Sequence, residues 1–85
     1  MRIIKEVPHP YLKITVFKHQ FKVQVKVQHE VYETLLTFRD GEILDEQYFL
    51  DHLEHSQFIK DMEKRIFEIH QTRMTGLSEL NNPVS

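Results

Sequence analysis

From Phe21 to Gln28 the chain alternates without a break, with Phe21, Val23, Val25 and Val27 apolar and Lys22, Gln24, Lys26 and Gln28 polar. A two-residue period held over eight positions specifies a strand with one buried face and one wet face. Everything else in the chain must pair with that strand or cover its apolar side.

The neighbouring segments continue the pattern. Tyr11 to Lys18 and Val31 to Phe38 read as strands on either side, with His19-Gln20 and His29-Glu30 as two-residue turns. Antiparallel pairing then sets Val16 opposite Val23, Ile14 opposite Val25 and Leu12 opposite Val27. On the far side it sets Phe21 opposite Phe38, Val23 opposite Leu36 and Val27 opposite Tyr32, with Thr34 facing Val25. A slip of one residue would turn each of these side chains to the other face. The outer face carries three rows: Lys13, Lys26 and Glu33; Thr15, Gln24 and Leu35; Phe17, Lys22 and Thr37. Residues 2–7, with the Ile3-Ile4 pair, supply a short extra edge strand, and Pro8 and Pro10 around His9 mark a connector because proline lacks the ladder's amide hydrogen.

Asp40-Gly41 is the strongest turn signal, and beyond it the period becomes helical. Asp45 is the expected N-cap, Glu46 suits the positive helix start, and Leu44 and Phe49 have the spacing of a hydrophobic staple. Each helical residue advances about 100°. With Phe49 at zero, Leu53 falls near 40°, whereas Phe58, Ile59, Met62, Ile66 and Ile69 fall between about 180° and 280°. One straight helix cannot bury both sets, so a break is predicted near Glu54 to Gln57, with Ser56 capping a second helix. That helix is expected to carry Arg73 in its last turn and Gly76 at C′, leaving 77–85 as a flexible tail. The predicted fold is therefore a single α+β domain over 1–76. It is a three-stranded antiparallel meander, extended by the short edge strand, followed by a short and a long helix packed on one sheet face.

At 85 residues the chain lies near the size at which small folds need a disulfide, a metal or a partner subunit. It contains no cysteine, so disulfides and thiolate metal sites are excluded, and association with a second copy is the natural supplement. The net charge of −2 is unevenly spread. The first thirty residues hold six basic side chains against Glu6 and Glu30, while the remainder hold five against eleven acidic ones. Such asymmetry points to a charged partner or to a second copy of the chain. The charged N-terminus has no long apolar run, so neither a signal peptide nor a membrane span is expected, and the expected compartment is the cytoplasm.

Catalytic patterns are absent from the sequence. Gly41 and Gly76 cannot make a phosphate-binding loop, and none of the serines lies in a Gly-x-Ser-x-Gly setting. His52 and His55, with Asp51 and Glu54 beside them, share a helix face but match no metal-binding motif and have no third ligand in prospect. Solvated histidines account for them more simply, and no cofactor or metal is expected. The chain reads as non-catalytic.

Two surfaces remain. Phe17, Val31 and Leu35 on the sheet and Phe67 on the second helix are apolar residues that a homodimer or another protein partner would cover. Alternatively, Tyr11 and Phe17 interleaved with Lys13, Lys22 and Lys26 are residue types that stack bases and neutralise phosphates of single-stranded nucleic acid. In its order of elements, sheet then helix, the chain is similar to the domains of dimeric single-stranded-DNA-binding transcription coactivators. The resemblance is one of architecture, with no shared motif. Glu33 in the middle of the face and the net negative charge favour self-association.

Overall fold

The computed structural model describes residues 1–81. Four strands, β1 (Arg2–Val7), β2 (Lys13–His19), β3 (Lys22–His29) and β4 (Tyr32–Arg39), form one antiparallel sheet in the order β1-β2-β3-β4. Two helices follow, α1 (Glu46–His52) and α2 (Gln57–Leu80). This is the expected α+β meander with its N-terminal edge strand in place, so the sheet has four strands rather than three. The alternation is obeyed: Val23, Val25 and Val27 are buried beside Ile14 and Val16, beneath Leu53, Ile59, Met62 and Ile66 from the helical half.

Both hairpins differ from the predicted register by two residues. Val16 pairs with Val25 and Ile14 with Val27, while Val23 pairs with Phe38, Val25 with Leu36 and Val27 with Thr34. The turns are Gln20-Phe21 and Glu30-Val31, one residue later than predicted. A shift of two keeps every paired side chain on its own face, so the central core is as expected and only its cross-strand partners change. Phe21 is the exception. It leaves the buried face for a hairpin tip, where it is 72% exposed, and Val31 at the other tip is 70% exposed. Neither turn contains glycine; Gln20 and Glu30 take φ of 51° and 53° instead. Positive φ at the first of two turn residues is the sign pattern of a type II′ turn, which matches the twist of the strands it joins.

Both predicted helix starts are present. Asp45 accepts a hydrogen bond from the Tyr48 amide at 3.0 Å, and the Ser56 hydroxyl accepts one from the Ile59 amide at 3.2 Å. The staple does not form: Leu44 is 95% exposed, and Ile43 packs against the core in its place. Phe49 meets Phe38 edge-on at 5.5 Å. Gly76 does not end α2. The helix continues through it to Leu80, and the amide of Asn81 bonds to the carbonyl of Leu77 at 3.0 Å. The first residues of the predicted tail are thus helical, and 82–85 lie outside the described residues.

α2 runs along β4 in the opposite direction. Phe58, near its start, lies 6.0 Å from Phe38, and His70 meets Tyr32 at the other end of the strand. Its buried residues, Ile59, Met62 and Ile66, all fall in its first half. Twenty-four residues make a rod of about 36 Å, so the second half passes beyond the sheet. The chain is accordingly elongated, 55 × 25 × 19 Å, with a radius of gyration of 16.0 Å, where a compact chain of this length would have about 12 Å. Among the described residues, no helix is long and apolar enough to cross a membrane.

Candidate interaction surfaces

The apolar side of α2 outlasts the sheet that it covers. By helical phase, Ile69, Met74, Leu77 and Leu80 stay on the side that buries Ile59 and Ile66, Phe67 lies on the flank of that side facing away from Phe58, and Glu68, Gln71, Thr75 and Glu79 occupy the opposite side. All five of those apolar residues are exposed, from Leu77 at 41% to Leu80 at 84%. The amphipathic pattern therefore continues for about three turns after the surface it was matched to has ended.

Where α2 leaves the sheet, a cleft of about 630 Å³ opens between the helix and the strand ends, with Leu12, Ile66 and Phe67 among its apolar lining and Tyr11, Tyr32, His29 and His70 among its polar lining. The polar groups in and beside it are tied to one another. His9 Nδ1 accepts the amides of Leu12 at 3.1 Å and Tyr11 at 3.3 Å, which leaves the ring proton on Nε2, facing Glu63 at 3.3 Å. The Tyr11 hydroxyl donates to the same carboxylate. His29 Nδ1 lies 3.1 Å from the Tyr11 carbonyl, and Tyr32 and His70 are joined hydroxyl to Nδ1 at 2.6 Å. These links bolt the Pro8–Pro10 connector and the strand ends to α2. The sequence gives little warning of them, since His9 comes from the connector, His29 and Tyr32 from the β3–β4 hairpin, and Glu63 and His70 from α2, three parts remote in the chain. The one available signal is His9, held between two prolines.

The outer sheet face gathers only part of the predicted nucleic-acid set. Lys13, Phe17, Lys22 and Lys26 lie on it, in rows that read Lys13-Gln28-Glu33, Thr15-Lys26-Leu35, Phe17-Gln24-Thr37 and His19-Lys22-Arg39. Tyr11 does not: it precedes β2, and its ring sits at the cleft beside His9. Phe17 is half-buried, with the Lys26 ammonium 6.0 Å from its ring centre, and the same lysine reaches Glu33 at 3.6 Å. The long side chains even cover Thr15, which is 3% exposed on what its spacing marks as the wet face.

The predicted self-association residues divide by location. Leu35 is 49% exposed on the outer face of β4, while Val31 tips the β3–β4 turn, whose neighbours His29 and Glu30 line the cleft together with Phe67. Val31 and Phe67 thus share one end of the molecule, and Phe17 lies two strands away from β4.

His52 and His55 are not brought together. His52 ends α1, stacked on Tyr48 at 3.8 Å with Nδ1 2.9 Å from the Tyr48 carbonyl, and the side chain of His55 is 90% exposed in the link. Among the described residues there is no group of three ligating side chains placed to hold a metal. Comparison with protein-family models, with curated proteins and with solved structures finds no match to this chain.

Proposed function

We propose that this chain is a non-catalytic interaction module that works as a homodimer. The observation that carries the reading is the uncovered apolar side of α2. A helical end of this length is marginal in water unless its apolar side is packed, and four exposed apolar side chains on one side, Ile69, Met74, Leu77 and Leu80, with Phe67 on its flank, call for a partner. A second copy suits the charge. α2 carries Lys60, Lys64, Arg65 and Arg73 against Asp61, Glu63, Glu68 and Glu79, so two such helices meet without net repulsion. The test is sedimentation equilibrium from low to high micromolar concentration, with a monomer–dimer equilibrium expected. A monomer throughout would refute the reading.

Lys13, Lys22 and Lys26 on one face lend support to single-stranded nucleic acid as a second reading. The placement of Tyr11 at the cleft and of Phe17 beneath Lys26 counts against it. That reading predicts oligonucleotide binding that weakens steeply with salt, and an absence of binding at low salt eliminates it.

A further inference from the structure

The geometry points to β4 as the strand on which the second copy docks, edge to edge, across a two-fold axis at Leu35. The inference rests on the self-association reading above and adds the surface and register through which it occurs.

The sheet has two edges, and they are not equivalent. β1 is blunted: its register shifts between Ile3 and Lys5, Lys5 falls opposite Val16 on the helix-side register, and Pro8 follows directly. β4 has none of these devices. It runs for eight residues without proline or irregularity, and its helix-side positions, Tyr32, Thr34, Leu36 and Phe38, are uncharged. A regular edge with no charge on its core-facing side is a template for another strand.

The backbone specifies the register. His29 and Tyr32 flank a two-residue turn, and such a pair exchanges both of its hydrogen bonds. Tyr32, Thr34, Leu36 and Phe38 therefore direct their amides to β3, while the odd-numbered residues direct theirs outwards. Arg39 belongs to the outward set and is already satisfied: its amide donates to Glu42 Oε1 at 2.6 Å, and its carbonyl accepts the Glu42 amide at 3.1 Å. Glu42 thus closes the edge at Arg39 and leaves Glu33, Leu35 and Thr37 open. These three are symmetric about Leu35. A two-fold axis there sets Leu35 opposite its own copy and Glu33 opposite Thr37 of the second copy, satisfying every open amide and carbonyl on both strands.

Side chains favour the same arrangement. Glu33 is the only acid of β4 and Arg39 its only base, and in this register they are diagonal neighbours across the junction, within reach of an arginine. Leu35, 49% exposed in one copy, is covered by its symmetry mate. Because α2 lies along β4, joining the sheets also makes the two α2 helices antiparallel neighbours on one face. Ile69 shares its side of the helix with Phe58, which packs on Phe38, and so turns towards the seam.

Three measurements on the full chain test this. Thr37→Pro removes an outward amide that β3 does not use, so the expected result is a monomer with an unchanged fold. Glu33→Arg and Arg39→Glu are each expected to weaken the dimer roughly tenfold, with the double exchange restoring it. The amides of Leu35 and Thr37 are expected to exchange more slowly with solvent as protein concentration rises. If the parent chain dimerises while Thr37→Pro still dimerises, or while those two amides exchange at a concentration-independent rate, β4 is not the seam, although self-association stands. If the parent chain stays monomeric, the underlying reading falls as well. Should Thr37→Pro fail to fold, the charge exchange decides: no recovery in the double variant overturns the inference.

Discussion

His9 uses both ring nitrogens, accepting two amides on one and facing Glu63 with the other, and its side chain is only 11% exposed. Truncation would remove the acceptor of two amides and one of the two partners of the Glu63 carboxylate, which the Tyr11 hydroxyl also meets. His9→Ala is expected to lower stability by about 1–3 kcal/mol, read as a drop in chemical-denaturation midpoint. Asparagine at the same site, able to accept an amide but too short to reach Glu63, should recover part of that loss. Gln20 offers the opposite sign. Its φ of 51° lies where residues with a Cβ are disfavoured, so Gln20→Gly is expected to stabilise the hairpin by about 0.5–1 kcal/mol and Gln20→Val to destabilise it. Equal melting temperatures for these two variants would contradict the assigned turn.

At the scale of elements, α2 consists of two halves under different constraints. The first half is held by Ile59, Met62 and Ile66 and capped by Ser56; Ser56→Ala is expected to cost about 1 kcal/mol of global stability, measured by thermal melting. The second half touches little, and Gly76 lies within it. A Cβ added there would meet nothing within 4 Å. Gly76→Ala is therefore expected to raise the helical circular-dichroism signal, by a propensity gain of about 0.5–1 kcal/mol. A terminating glycine at C′ would give the reverse, since alanine resists the left-handed conformation used there.

At the scale of the whole molecule, shape and association are linked. An elongated monomer with a radius of gyration of 16.0 Å should be distinguishable by small-angle scattering at low concentration, and the melting temperature should rise with concentration once copies pair. Phe67 provides a control for the location of the seam. It lines the cleft, on the flank of α2 turned away from Phe58, so Phe67→Glu is expected to leave a β4-mediated dimer intact. If the dimer depends instead on the cleft end of α2, the same variant dissociates it, as analytical ultracentrifugation would show.

Periodicity by itself determined the valine face, the helix break at Glu54–Gln57 and the caps at Asp45 and Ser56, because these depend on spacing and on side chains acting within one or two turns of their own backbone. The hairpin register was beyond its reach. Registers two residues apart present identical faces, and with no glycine or Asn-Gly at either turn, the choice passed to cross-strand packing and to two residues that tolerate positive φ. The exposure of Leu44, the path of α2 through Gly76, the gathering of Tyr11, Tyr32, Glu63 and His70 at one cleft and the bonding of His9 beside it were likewise decided by tertiary structure. Each depends on residues remote in the chain, whose proximity follows from how the helix lies on the sheet. The same holds for the open edge of β4, since which strand ends a sheet, and which of its amides remain unbonded, is a property of the assembled ladder and not of any one segment.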